Sequence, residues 1–383
     1  MPDQFCLNVI PQQNSGFDTP KSAFLPDKLN CQILNFAEES LTCHFFRGFL
    51  IFLVSVAARL CYNFIRTKLF RLQAYMQFIE TKSIALSYER KIIREIEAIR
   101  KEYKITPKLG ILLVTGDQVT MAQVEKVVAL GAKLGYEIHK EAVAERNVDR
   151  IFQKKLEGMV SDDSFMGIWV VTPRFDYPPY DRITEILPAH KDVTGCHHVS
   201  FGRYMFGKPG LIPPKVRAIF DILEEHVEGY KEKGVVIVST KNDGTRGFFG
   251  KYLAGFLYDH GARVTIRNVL SSTKTRKKFV ELYNPFGEII VTALNTSRAI
   301  VAGRLKKGSI IIDTGYNFHR YNISGDVDLQ GARDVCSAIT PVPGGVDILI
   351  PINIFLNALD IVKTKVGMPR VPVRKERSGR FGR

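Results

Sequence analysis

Several classes of protein are excluded by what this chain lacks. Its six cysteines are Cys6, Cys31, Cys43, Cys61, Cys196 and Cys336; none forms a Cys-x-x-Cys pair, and four fall in the first 61 residues. That pattern is neither a disulfide framework nor a zinc site, and it points to a reducing compartment. His197-His198 has no Asp, Glu or His at a ligand spacing, so it reads as a surface or pocket-rim pair rather than a metal site.

Long hydrophobic runs are also missing. The most apolar stretch, residues 45–65, has an uncharged core, Gly48–Ala58, of only 11 residues. A membrane span needs about 20. Arg59 would have to snorkel out of the hydrocarbon, although Arg66, Lys68 and Arg71 resemble the positive flank of an anchor. Asp3, Asp18, Asp27, Glu38 and Glu39 precede the stretch, whereas a mitochondrial presequence is poor in acids. Three readings of residues 1–75 stand: a leader outside any domain, a segment for membrane attachment or organelle targeting, or a gene-model extension. The protein is accordingly expected to be mitochondrial or cytoplasmic, with membrane association through 45–65 as an open alternative.

Acids are the scarcer charge, 39 Asp+Glu against 54 Lys+Arg, for a net +15. The excess is concentrated: from Lys363 to Arg383 eight basic residues face one acid, Glu376, so this end supplies +7. With two prolines, three glycines and little apolar content, it is expected to be an unstructured solvated tail. Such a polycation also suits contact with RNA or an anionic surface.

What is present is an α/β pattern. Apolar residues make up 45% of the 383, enough for two domains with real cores. No solenoid-length repeat is visible. From Met76 the periodicity predicts a helix over Lys82–Tyr103 and a strand at Gly110–Val114. A helix over Ala122–Leu134 and a strand at Tyr136–Val143 follow. Next come a helix over Val148–Met159, a strand at Met166–Val171 and a helix at Tyr180–Leu187. That βαβαβ order favours a parallel sheet. A Gly/Pro-rich stretch, 207–214, separates it from a second series. Its strands are at Gly234–Val238, Arg263–Ile266, Glu288–Val291 and Ser309–Asp313. Its helices cover Lys215–Tyr230, Gly247–Asp259, Thr273–Tyr283 and Ser297–Leu305, a Rossmann-like order. A last helix covers Ile348–Lys365.

The ordered motifs are more specific than any single one. They are Leu-Val-x-Gly-Asp117, Gly-Ile-x-Val-Val171, Lys-Asp-Val-x-Gly195, Asp-x-Gly-x-Asn317, Gly-Asp-Val-Asp328 and Thr-Pro-Val-Pro-Gly-Gly-Val346. Over residues 76–366 this set resembles the bifunctional methylenetetrahydrofolate dehydrogenase/methenyltetrahydrofolate cyclohydrolase family, the FolD type. The resemblance implies two αβ domains around a cleft: a folate-type catalytic domain over 76–214 and a Rossmann-like NAD(P)-binding domain over 215–347. The helix over 348–366 would return to the first domain, leaving 367–383 as the basic tail. It implies NADP or NAD as cofactor, a folate or nucleotide ligand, and a homodimer.

It also implies a Tyr-x-x-x-Lys pair on the first domain's helix, with the lysine as central polar catalyst. Here the segment Asp117–Gly135 is one residue short. Counting back from Gly135 puts the pair on Gln123 and Val127; counting forward from Asp117 puts it on Val124 and Val128. Lys126 is adjacent but turned about 100° away. The family's Gln-Leu-Pro-Leu-Pro is Val171-Thr-Pro-Arg-Phe175, and its pterin-binding aspartate is Thr194. The phosphate loop after Val238 is lengthened, and Asn295 and Asp347 replace glycines. The matched substrate positions are Pro173, Asp192, Thr194, Pro343, Gly344 and Gly345. The matched cofactor positions are Thr240, Lys241, Arg246, Gly247, Asn295 and Thr340. Backbone-shaping residues persist while chemical ones are replaced. The resemblance therefore implies a one-carbon folate protein whose turnover is weak or lost; the alternative is a scaffold that docks on an RNA-rich or acidic assembly.

Overall fold

The computed structural model describes residues 76–371, except 116–117, 145–147, 172–179, 209, 241–247, 270–287 and 320–321. The chain divides into two compact units, Met1–Gln73 and Ala74–Arg383; the described residues all belong to the second.

This unit begins with a two-residue strand, β1 (Gln77–Phe78), and then α1 (Lys82–Tyr103). Ile84, Ile92, Ile96 and Ile99 of α1 fall on one stripe and are all buried, and the helix stops where Lys104 turns left-handed at φ 57. Then come β2 (Lys108–Thr115), α2 (Gln118–Leu134) and β3 (Glu137–Ala144). Gly135 ends α2 at φ 94, a conformation that L side chains rarely adopt. The helix expected over Val148–Met159 is split into a π turn, Val148–Phe152, and α3 (Gln153–Ser161). β4 (Phe165–Val171), α4 (Tyr180–Ile186) and α5 (His198–Met205) complete this half. Its sheet is three-stranded and parallel, in the order β3-β2-β4.

The second half contains α6 (Pro214–His226), β5 (Val235–Thr240), α7 (Phe248–Asp259), β6 (Val264–Val269) and β7 (Ile289–Ala293). After these come β8 (Ile310–Asp313), the hairpin β9 (Asn317–His319) and β10 (Asn322–Ser324), α8 (Leu329–Ala332) and β11 (Ala338–Ile339). The six-stranded sheet runs β1-β11-β8-β7-β5-β6, every pairing parallel. The described residues thus start on the edge of this sheet and cross over to build the other. The helix expected over Thr273–Tyr283 lies outside the described residues. The helix expected over Ser297–Leu305 is corrected: only a single 3-10 turn, Ala302–Arg304, forms there. Asn295 and Arg298 have positive φ (50 and 52), and the Thr296 N–H donates to Asp326, which holds the segment as a loop.

The last helix, α9 (Val346–Lys365), packs against α1 and α6. Asn357 Nδ2 donates to the Val193 and Ile212 carbonyls at 2.9 and 2.8 Å, and Asn353 Nδ2 to Pro214. Tyr136, beyond α2, donates to the Phe355 carbonyl. One apolar cluster consequently runs from Leu109 under the first sheet, through Leu356 and Leu359, to Ile237 and Ile289 in the second.

Candidate functional site

A cleft of about 540 Å³ opens between the two sheets. Its walls are α2 (Gln123, Lys126, Val127, Leu130), Trp169 of β4, the turn after β8 (Asp313–Tyr316) and the start of α9. A second crevice of about 280 Å³ shares Trp169, Lys215, Asn295, Ile350 and Ile354 with it, and adds Thr194, Cys196, Phe248 and Phe249. Lys215 enters because Pro214 opens α6 at its first turn. Its ammonium lies 5.1 Å from the centre of the Phe249 ring.

Two buried carboxylates build the floor. Asp313 accepts from Thr292 Oγ1 and from the N–H groups of Gly315, Asp326 and Val327, all within 3.0 Å. Asp326 accepts from the N–H groups of Leu294 and Thr296 and from Asn317 Nδ2. Together they lash the turns after β7 and β8 to each other. A Cβ on Gly315 would lie 2.4 Å from Asp326 Oδ1, and one on Gly325 2.0 Å from Asp313 Oδ2, so both glycines are required by this close approach. Burial, and then the Asp326 charge, push the Asp313 carboxyl up to about 6.

The Pro-Gly-Gly loop carries its own acceptor. The Asp347 carboxylate accepts from the Gly344 N–H (2.9 Å) and the Gly345 N–H (2.9 Å). Thr81, at the entry to α1, donates its hydroxyl to the carbonyls of the same two glycines. Thr340 Oγ1 accepts from the Asp313 N–H and donates to the Asp313 carbonyl. The loop is thus pinned from the strand below, from α1 and from within.

On α2 the two ways of counting separate. Gln123 and Val127 line the cleft, whereas Val124 and Val128 pack with Ile111 and Leu113 in a core cluster. Lys126 is exposed and lines the same cleft. Thr194 reaches the second crevice and donates its hydroxyl to Asp192 at 2.6 Å. Asp192 is buried, and it also accepts the Thr194 and His197 N–H groups, so it staples the turn. Burial raises its pKa, against the pull of those bonds. Asn295 lines both cavities with its backbone left-handed, a region that Asn tolerates better than most residues. Thr240 is buried at the end of β5 and Thr340 beneath the loop, while Pro343 is exposed. Pro173, Lys241, Arg246 and Gly247 lie outside the described residues. His197 is not a surface residue. It is buried, its Nδ1 accepts from the Val199 N–H at the start of α5, and its Nε2 lies 3.1 Å from the Thr184 carbonyl. Burial lowers its pKa. Sequence reasoning missed Trp169, Lys215, Asp313 and the role of Asp347. For Asp347 a signal existed, since an acid in the first turn of a helix after a Gly-Gly turn suits the helix's positive end and can reach back to the turn's N–H groups.

The two parallel sheets, the cleft between them and the returning helix define a two-domain α/β protein with a Rossmann-like half. Residues 213–366 match the model of the tetrahydrofolate dehydrogenase/cyclohydrolase NAD(P)-binding domain. The bifunctional protein FolD of Caldanaerobacter subterraneus subsp. tengcongensis is 27% identical over 288 residues, covering 75% of this chain and 97% of the relative. FolD of Helicobacter acinonychis is 25% identical, covering 73% and 93%. Among solved structures, Trypanosoma brucei methylenetetrahydrofolate dehydrogenase-cyclohydrolase, complexed with NADP and an inhibitor, superposes with a TM-score of 0.67 at 19% identity, covering 76% of this chain and 99% of that one. The Campylobacter jejuni FolD enzyme superposes at 0.65 and 23%, with the same coverage. The chain is thus similar to FolD-type proteins over most of their length, and residues 213–366 carry their NAD(P)-binding-domain pattern.

Proposed function

We propose that this protein keeps the ligand cleft of the dehydrogenase/cyclohydrolase family while its turnover is weak or lost. One observation carries the reading. Val127, 6% exposed, lines the cleft four residues after Gln123, where the family pattern has its lysine after a tyrosine. A valine neither donates nor accepts a proton. General acid–base help is worth about 10²–10⁴ in rate, so its loss alone suppresses catalysis.

Ligand binding is a separate matter. The second crevice sets Thr194, Lys215 and Asn295 against the apolar walls of Phe248, Phe249 and Trp169. That donor set suits one face of a flat heterocycle, a pterin or a nicotinamide. A bound dinucleotide would supply the oxidant; this chain's residues would hold its ring and exclude water from it.

Trp169 is the single tryptophan of the chain and lines both cavities, so its fluorescence reports occupancy directly. The full-length protein should show saturable quenching by tetrahydrofolate or NADP. It should also show methylenetetrahydrofolate oxidation and methenyltetrahydrofolate hydrolysis at least about 10²-fold below those of an active relative. Turnover equal to that relative's would overturn the reading and make Lys126 the relocated base. No quenching by either ligand would leave the fold without its cleft function.

A further inference from the structure

Two more cavities flank the C-terminal half of α9. One, of about 580 Å³, lies between β4, α5 and the end of α9; the other, of about 390 Å³, lies between the α5–α6 connection, α7 and α9. They share Gly210 and Arg370 and so form one groove. Lys191, Arg203, Lys208, Arg217, Lys365 and Arg370 line it. The acids lining it are Asp163, Asp259 and Asp360.

Much of that positive charge meets neutral acceptors. Lys191 Nζ donates to the Val160 and Asp162 carbonyls, Lys365 Nζ to the Asp163 carbonyl and Arg370 Nε to Thr364 Oγ1. Asp259 accepts the Tyr204 hydroxyl, and Asp360 accepts the Val371 N–H. Arg217 is 1% exposed; it pairs with Asp360 at 4.0 Å and lies 5.8 Å from the centre of the Tyr88 ring. Its Nε and Nη2, like Arg370 Nη1, have no hydrogen-bond partner among the described residues. A buried guanidinium with unmade bonds is costly, and an anion is the partner that would complete it.

Two exposed rings are sequence neighbours of groove residues. Phe206 is 84% exposed and adjoins Gly207 and Lys208 of the groove; Tyr258 is 73% exposed and adjoins Asp259. The sequence after Val371 then adds Arg374, Lys375, Arg377, Arg380 and Arg383.

We propose that this groove docks single-stranded RNA, with its cations meeting successive phosphates and Phe206 and Tyr258 stacking on bases. A basic track with exposed rings is what sequence-tolerant strand binding requires. Concavity favours a strand over a bilayer, because a flexible backbone reaches recessed groups such as Lys191 and a plane of headgroups does not. At 1.5 Å per residue α9 is about 30 Å long. The cleft uses its first half and the groove its second, so RNA and cleft ligands bind independently.

The test is fluorescence anisotropy of the full chain with a fluorescein-labelled 16-nucleotide poly(U), titrated across salt. The variants are Arg203→Glu/Lys365→Glu, Phe206→Ala/Tyr258→Ala, and a chain ending at Val371. All four substituted side chains are exposed, and melting curves check folding. The double charge reversal should weaken binding at least about tenfold and flatten the salt slope by roughly two. The aromatic pair should weaken it about fivefold or more. The chain ending at Val371 should bind less tightly but still respond to both groove changes, and Trp169 quenching by cleft ligands should be unaltered. Undiminished RNA binding by folded groove variants would overturn the proposal. So would complete loss on removing residues 372–383 alone, or binding to phosphatidylserine vesicles with none to RNA.

Discussion

Asp347 and Asp313 are acids of the cleft that accept backbone N–H groups. Asp347, which lines the cleft, occupies the N–H groups of Gly344 and Gly345. Asp347→Gly should free them at a cost of about 1 kcal/mol, the usual value of a helix-start acceptor. It should also tighten binding of an anionic ligand such as tetrahydrofolate several-fold, because a negative charge leaves the site as two donors open. Trp169 quenching reads the affinity and a urea melt the stability; unchanged affinity would mean that those donors do not face the ligand. Asp313 gives a pH signature. A carboxyl that titrates near 4 when unfolded and at about 6 when folded stabilises the folded state fully below pH 4. That contribution fades as pH rises and is gone above about 6. The wild type should therefore lose stability between pH 4 and 6 relative to Asp313→Asn, which has no proton to lose. Parallel stability curves for the two proteins over that window would contradict the assignment.

At the scale of elements, the joint between α1 and the Pro-Gly-Gly loop is the most exacting. Thr81 is fully buried and donates to two carbonyls, so Thr81→Val should keep the shape, orphan both acceptors and cost about 1–3 kcal/mol. Chemical denaturation measures it directly; a loss below a few tenths would mean that water replaces the hydroxyl. Periodicity read the strands and most helices because their buried stripes, such as Ile92, Ile96 and Ile99, are spaced as a helix demands. It misread residues 297–305 because what holds them is remote: Asp326, some thirty positions on, fixes Leu294 and Thr296. It left α2 ambiguous because four apolar or long side chains fit either count, and only packing sends Val124 inward and Val127 to the cleft. The Gly-Asp-Val-Asp and Pro-Gly-Gly motifs were legible as backbone signatures. Lys215 and Trp169 were not, since nothing local marks a lysine in a first helical turn or a tryptophan in a buried strand as facing a crevice.

For the unit from Ala74 onward, the decisive feature is that α9 belongs to both halves. Its Asn357 satisfies Val193, after the first sheet, and Ile212, at the entry to α6 of the second half, and one apolar cluster runs beneath both. Separate domains joined by a linker would open independently; a shared helix with paired buried carbonyls couples them. Asn357→Leu keeps approximate volume but strands both acceptors, which costs about 2–4 kcal/mol in total. Native-state hydrogen exchange can localise that cost. If the halves are coupled, the slowest amides of β2 and β7 should open with the same free energy in the wild type, and both should fall by the same amount in the variant. A cleft wall made by one shared helix would then be rigid, so ligand should protect both sheets together even though its contacts are confined to the first half of α9. Loss of protection in β2 with β7 unchanged would instead show two independently stable sheets, and the cleft would have to be treated as a hinge between them.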